Sequence, residues 1–266
     1  MTLLAAVQMT SGADKAQNLA TATTLIRKAA GRGAQFVGLP ENFAWMGPEP
    51  ERDQNAESLE GPTLSALQAL AKELGITLLA GSMLEGGAPG GRLFNTSVLF
   101  GPDGARLGVY RKMHLFDVEV GDGQTYRESA AVAPGTEVVV ANAPFGKVGL
   151  SVCYDLRFPE LYRKHSEAGA VLLTVPAAFT LATGKDHWEV LLRARAIENQ
   201  AYVIAPAQQG KHPKDRMTWG HAMIVDPWGL VTARASEGEG LAMAELDAAL
   251  LAKVRRNLPA LQHRKL

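Results

Sequence analysis

Short apolar, β-branched runs alternate with amphipathic stretches along the 266 residues, and the alternation occurs twice with no linker between the rounds. Few folds accept that pattern, because strands that return after a helix lie parallel and need helices outside their sheet. The first round opens with LLAAVQM as a strand, DKAQNLATATTLIRKAAGRG as an amphipathic helix closed by glycine, and AQFVGLP as the returning strand. Pro62 to Leu74 reads as a second helix, ITLLAGSML as a third buried strand, and LFNTSVLFGPDGARLGVYRK as a hairpin turning at GPDG. From Glu137 the pattern resumes with a strand, a strand ending at Cys153, a helix over Tyr154 to Tyr162, the strand AVLLTVPAAF, the helix HWEVLLRARAIENQ and the strand AYVIAPA. A second hairpin, HAMIVDPWGLVTARAS, and a helical tail from Asp247 complete it. Two halves of like content predict an α/β fold with two sheets inside and helices outside, a four-layer sandwich.

Composition removes several classes of function. Twenty-seven basic residues balance twenty-seven acidic ones, so no global field favours nucleic acid or an anionic membrane, and recognition of a charged ligand must be local. The opening MTLLAAVQMT has no positive n-region, and no run approaches the length that spans a bilayer, so the chain reads as cytoplasmic. One cysteine forms no internal disulfide and supports no thiolate cluster, and the six histidines include no close pair at ligand spacing. No GxGxxG, Walker-type loop or HExxH occurs, and GGAPGG at 86–91 precedes a strand instead of opening a helix. Neither a metal nor a cofactor is expected, and catalysis should be covalent.

The lone cysteine, Cys153, sits where VGLSV gives way to YDLRFPELYR, at the carboxyl end of a predicted strand. Open α/β folds place chemistry there, and the N–H groups that begin the next segment can stabilise a thiolate or an oxyanion. By default such a thiol is only a small buried hydrophobe. A nucleophile also needs a base and a cation, and no histidine here has the setting of a cysteine-protease pair. Glu41 in GLPENF follows a buried strand and a proline, and Lys112 in YRKMHLFD enters the irregular stretch from Met113 to Pro134. Burial raises a carboxylate pKa from about 4.3 towards neutrality, which suits a general base, whereas a nearby lysine opposes that shift. A structureless stretch as long as 113–134 is usually functional.

Together PENF, YRKMHLF and CYDLRFPELYR resemble, in order and spacing, the Glu, Lys, Cys signature of the nitrilase superfamily of carbon–nitrogen hydrolases, and the resemblance covers essentially the whole chain. It implies a single domain over 1–266 with the αββα sandwich of the nitrilase type, dimerising through helices, and a C-terminal helix and arm from about 247 at the dimer interface. It implies that Cys153 attacks an amide carbonyl, that Glu41 is the general base, and that Lys112 stabilises the tetrahedral intermediate. Glu128, sixteen residues after the lysine, falls where the family has a supporting glutamate. The N–H of Tyr154 joins Lys112 as a candidate oxyanion donor.

HWEVLLRARAIENQAYVIAPAQQGKH, WGHAMIVDPWGLV, SEGEGL and RRNLPALQHR look very like the deaminated glutathione amidase branch. That branch implies a small-molecule amide substrate with two carboxylates, cleaved to 2-oxoglutarate and cysteinylglycine. Arg157 lies where related amidases hold a substrate carboxylate, and the basic stretch from Gln208 to Arg216 offers a second contact. Residues 113–134 and 208–219 are the expected pocket loops. Arg193, Arg195 and Glu198 fit ion pairs on a helix or a dimer interface, Trp188, Trp219 and Trp228 fit packing, and Arg255, Arg256, His263 and Arg264 fit a tail against a partner subunit. An ω-amidase, a nitrilase, an N-carbamoyl hydrolase and a catalytically silent scaffold are the alternatives. A redox-sensing thiol would need a resolving partner that one cysteine cannot provide.

Overall fold

Alternation along β1 (Thr2–Met9) sorts its side chains into two cores: Leu4 and Ala6 join one, whereas Ala5, Val7 and Met9 join the other. The second core is filled from α1 (Lys15–Gly31), whose buried face is Asn18, Ala22, Leu25, Ile26 and Ala29. β2 (Phe36–Gly38) and α2 (Pro62–Leu74) follow, and α2 begins and ends where the sequence predicts, with proline in its first turn and Gly75 in the left-handed region at φ 64°. The computed structural model describes residues 1–119 and 125–265.

β3 (Thr77–Leu79) and β4 (Met83–Glu85) replace the single strand expected over ITLLAGSML, because the backbone turns at Gly81 with φ 37°. β5 (Phe94–Phe100) and β6 (Arg106–Arg111) form the predicted hairpin. The stretch 113–134 is not structureless: β7 (Asp117–Glu119) pairs with β8 (Thr125–Arg127), while residues 120–124 lie outside the described residues. The second round supplies β9 (Val140–Ala143), β10 (Gly146–Leu150), α3 (Pro159–Glu167), β11 (Leu172–Thr174), α4 (Leu181–Asn199) and β12 (Tyr202–Ala205). The helix expected from Tyr154 begins only at Pro159, after a 3-10 turn over Cys153–Arg157, since Phe158 is extended at φ −110° and ψ 91°. β10 likewise stops at Leu150, short of Cys153.

β13 (Ala207–Lys211) and β14 (Met217–Trp219) form a hairpin where a loop over 208–219 is expected. β15 (Met223–Val225) and β16 (Val231–Arg234) are the second predicted hairpin. β17 (Gly240–Leu246), unforeseen, lies antiparallel along β1. α5 (Ala248–Asn257) is capped by the Asp247 carboxylate, and its Arg255 guanidinium donates to the carbonyls of Gln200 and Ala170.

Among the described residues the first sheet has the order β14, β13, β1, β2, β3, β5, β4, with β17 beside β1 and β6 beside β5; the second runs β16, β15, β12, β11, β10, β9. Leu4, Ala6, Phe36, Leu79 and Leu99 of the first meet Val148, Leu150, Leu172 and Ile204 of the second in one core. The architecture is the αββα sandwich. Among the described residues no helix is long and apolar enough to cross a membrane. Trp188 is buried as expected, whereas Trp228 is 64% exposed and does not pack in a core, because it sits at the tip of the β15–β16 turn.

His165 on α3 is wholly buried, and neither ring nitrogen has a hydrogen-bond partner among the described residues. Burial pushes its pKa from 6.5 down to about 4. Below pH 6.5 the unfolded chain takes up a proton that the folded chain refuses, so this stability is complete above 6.5 and is lost as the pH falls towards 4. His165→Leu should abolish about 3 kcal/mol of acid destabilisation, read as the change in urea unfolding free energy between pH 7 and pH 4. An unchanged pH slope would contradict the neutral histidine.

Candidate active site

β2 delivers Glu41 through Leu39 and Pro40, and the path is pinned by Gly81. An ideal Cβ on Gly81 would lie 2.0 Å from the Pro40 carbonyl oxygen, so only glycine permits the approach. Ser82 donates from its N–H to that oxygen, and its hydroxyl accepts from the Asn42 N–H. β6 delivers Lys112, whose N–H donates to the Asn95 carbonyl and whose own carbonyl accepts from Gly135. The second sheet delivers Cys153 just beyond β10. Its φ is 48°, a left-handed conformation costly for a residue with a Cβ, and its N–H donates to the Pro176 carbonyl. A strained turn of this kind lifts a side chain off the sheet edge and presents it to the cavity.

Glu41, Lys112, Glu128 and Cys153, far apart in the chain, converge. Nζ of Lys112 donates to Oε1 of Glu41 at 3.0 Å and to Oε1 and Oε2 of Glu128 at 3.1 and 2.8 Å. Oε2 of Glu41 accepts from the Ala178 N–H at 2.9 Å, and the Cys153 thiol lies close enough to the same carboxyl for each to shift the other's ionisation. Lys112 is 2% exposed, Glu41 3% and Cys153 8%.

Sequence reasoning missed Asn95. Its Nδ2 donates to Glu41 at 2.9 Å and to Glu128 at 3.2 Å, so it ties both carboxylates together. The signal was present, as an amide inside the otherwise strand-like FNTSVLF. Asp155, also missed, is wholly buried and accepts four donors: the Tyr110 hydroxyl at 2.7 Å, the Val152 N–H at 2.8 Å, and the His114 N–H and Nδ1 at 3.1 and 2.7 Å. It thereby fastens the turn at Cys153 to the segment leaving Lys112.

Burial alone would raise the Glu41 carboxyl, but the Lys112 ammonium, the Cys153 thiol and the Arg216 guanidinium more than offset it and hold the group below its usual value. The expected rise towards neutrality therefore does not occur. Burial first, and then the charge of Glu41, push the Cys153 thiol well above its ordinary value against the pull of Lys112. Burial lowers a lysine, yet the carboxylates of Glu128 and Glu41 carry Lys112 above its usual value. At rest the proton thus belongs to sulfur, Glu41 is ionised and Lys112 is charged.

The four residues floor a cavity of about 190 Å³. Tyr154 lines it, with its ring edge-on to Phe116 and Phe158. Arg157 backs the wall: its guanidinium lies over the lining rings of Phe179 and Tyr154 at 5.2 and 5.8 Å and contacts Nδ1 of His187 at 3.3 Å. The expected pocket loops both contribute, through Phe116 and Thr125–Glu128 and through Pro213, Lys214 and Arg216. Glu49 and Arg52, from a stretch with no periodic signal, extend the charged wall, so that among the described residues five cations and three carboxylates line the cavity. Arg195 bonds the Leu156 carbonyl and pairs with Glu198, while Arg193 bonds the Gly229 carbonyl, so both hold structure together. Among the described residues no group of three or more His, Cys, Asp and Glu is placed to hold a metal ion.

The carbon-nitrogen hydrolase family matches residues 3–256. A deaminated glutathione amidase of Synechocystis is 51% identical, covering 98% of this chain and 97% of its own, and the omega-amidase NIT2 of Homo sapiens is 38% identical, covering 98% and 94%. The crystal structure of Saccharomyces cerevisiae Nit3, described as a nitrilase-superfamily member, superimposes with a TM-score of 0.90 at 32% identity, covering all of this chain and 97% of that one.

Asp155→Asn tests the fastening. An asparagine keeps one acceptor oxygen and turns an NH₂ towards either the Val152 or the His114 N–H, so at least one backbone donor loses its partner and the others lose a charged acceptor. The variant should lose about 2–4 kcal/mol of unfolding free energy, and iodoacetamide should label Cys153 at a changed rate. Unchanged stability and labelling would contradict the role.

Proposed function

The chain belongs to the carbon-nitrogen hydrolase family, and on that premise we propose that it is a cysteine amidase of deaminated glutathione, releasing 2-oxoglutarate and cysteinylglycine. The observation that carries the reading is the convergence of Cys153, Glu41 and Lys112 on one cavity, with the Lys112 ammonium hydrogen-bonded to the Glu41 carboxylate. Sγ of Cys153 attacks the amide carbonyl as its proton passes to Glu41, and the carbonyl oxygen becomes an oxyanion beside Lys112 and the Tyr154 N–H. Glu41 then gives the proton to the nitrogen, the C–N bond breaks, and the amine leaves a thioester. Water loses a proton to the same carboxylate as it attacks the thioester, and the expelled sulfur takes that proton back. Glu128 and Asn95 hold Lys112 and Glu41 in place through both steps. No step calls for a cofactor.

The substrate reading is supported by the 51% identity to a protein named for it and by the cavity charge. Among the described residues, five cations against three carboxylates give the wall a surplus of positive charge, which suits a substrate with two carboxylates. The 38% identity to an omega-amidase keeps 2-oxoglutaramate as the second reading. We further propose one domain that pairs as a homodimer. Val190, Ile197, Trp228 and Leu230, exposed together on α4 and the β15–β16 turn, support that pairing, with the arm beyond α5 beside the interface.

The deciding experiment compares kcat/KM on deaminated glutathione and on 2-oxoglutaramate, with Cys153→Ala as the blank. A preference of about a hundredfold for the former, lost in the blank, is expected; the reverse preference would make this an omega-amidase. Glu41→Gln should lower kcat by about a thousandfold, the upper part of the usual general-base contribution. Because Glu41 is held below 4.5, the acid limb of kcat/KM should lie below pH 4.5, and a limb near neutrality would overturn the proton placement.

A further inference from the structure

We infer that the cavity opens into a second chamber that binds the carboxylate of the departing amine through Arg52, Arg216 and the indole N–H of Trp45. This rests on the deaminated glutathione reading and adds where the leaving half is held. The chamber, about 90 Å³, continues from the main cavity across Asn42, Gly47, Leu84 and Pro213, and contains none of Glu41, Lys112 and Cys153.

Its donors lack acceptors. Trp45 is 7% exposed, and its Nε1 has no hydrogen-bond partner among the described residues; Nε of Arg216 is buried and unpartnered in the same way. Buried donors are rarely left so, and both groups can only donate, so the missing ligand is an acceptor. Among the described residues the Arg52 guanidinium pairs with Glu49 alone, at 3.8 Å, and that carboxylate is 71% exposed on the rim, beside Lys214 at 3.9 Å. His212 also lines the chamber, but its ring nitrogens are taken by the Ser11 carbonyl at 2.8 Å and the Thr218 hydroxyl at 2.7 Å. Two guanidiniums and an indole N–H around an apolar wall of Met46, Leu84 and Pro213 fit a carboxylate carried on a short, partly apolar arm.

The chamber lies on the leaving side of the reaction. A nitrogen that receives its proton from Glu41 must lie beside that carboxylate, and the chain runs directly from Glu41 through Asn42, Trp45 and Gly47 into the chamber wall. Gly47 is part of the construction, because an ideal Cβ there would stand 2.4 Å from the Trp45 ring. Cysteinylglycine has a carboxylate to place in the chamber; the ammonia released from 2-oxoglutaramate has none.

The test pairs a change in substrate with a change in protein. Deaminated glutathione and its glycyl carboxamide are compared on the wild type, on Arg52→Gln and on Trp45→Phe, and each ratio is taken within one preparation so that the folded fraction cancels. Removing the carboxylate should lower kcat/KM about thirtyfold on the wild type, chiefly through KM. The same change should cost less than about threefold on Arg52→Gln and an intermediate factor on Trp45→Phe. An equal penalty on all three enzymes, or none on the wild type, overturns the chamber while leaving the substrate reading intact. A wild type that ignores deaminated glutathione but turns over 2-oxoglutaramate overturns both.

Discussion

The ammonium of Lys112 is the group that the rest of the site is arranged around. A lysine 2% exposed to solvent is tolerable only if anions surround it, and Glu41 and Glu128 do so from 71 and 16 residues away. Removing one partner from such a group typically costs about 3–5 kcal/mol, because the remaining charge is left buried and unpaired. The loops that carry these residues therefore order together or not at all. Asn95 enforces this, since one side-chain amide donates to both carboxylates and its backbone carbonyl accepts from Lys112 itself.

Glu41 is also where the two sheets meet chemically. One oxygen faces Lys112 from the first sheet, and the other accepts from Ala178, beyond β11 of the second, while the Cys153 thiol lies beside the same carboxyl. Asp155 makes the matching link from the other side, accepting from Tyr110 and His114 near Lys112 and from Val152 beside the nucleophile. The left-handed backbone at Cys153 is strained, and four hydrogen bonds to one buried carboxylate are sufficient to hold such strain in place.

The layer order and both hairpins were legible in the sequence because they rest on local signals: period-two alternation, GPDG, a proline opening α2 and a glycine closing it. The pairing of Glu41, Lys112, Glu128 and Cys153 was legible only through resemblance, since no local property of PENF or YRKMHLF says that they meet. What stayed hidden is long-range. β17 is a strand because β1 offers it an edge, and β13 and β14 become strands where a basic run suggests a loop. For the same reason, that a lysine would oppose the burial of Glu41 was legible, but that the opposition would win was not. Burial is visible from flanking apolar residues, but the cations that outweigh it are contributed by Lys112 and Arg216, remote in sequence. Arg157, assigned to the pocket by position, lies behind two of its wall rings, Tyr154 and Phe179.

A chain with equal numbers of acidic and basic residues has no long-range field with which to gather an anion, so selectivity has to be built within a Debye length of the thiol. The cavity is built in that way. Its deepest charges, Lys112, Glu41 and Glu128, are committed to one another and have little left for the ends of a substrate. Arg52, Arg127 and Lys214 stand further out, where solvent access makes their charge cheap to hold until a carboxylate arrives. Binding energy gained there is remote from the scissile bond, and it can be used to press the amide carbonyl against a neutral thiol that is a poor nucleophile until Glu41 takes its proton. The floor fixes the reaction, and the wall decides which amide reaches it.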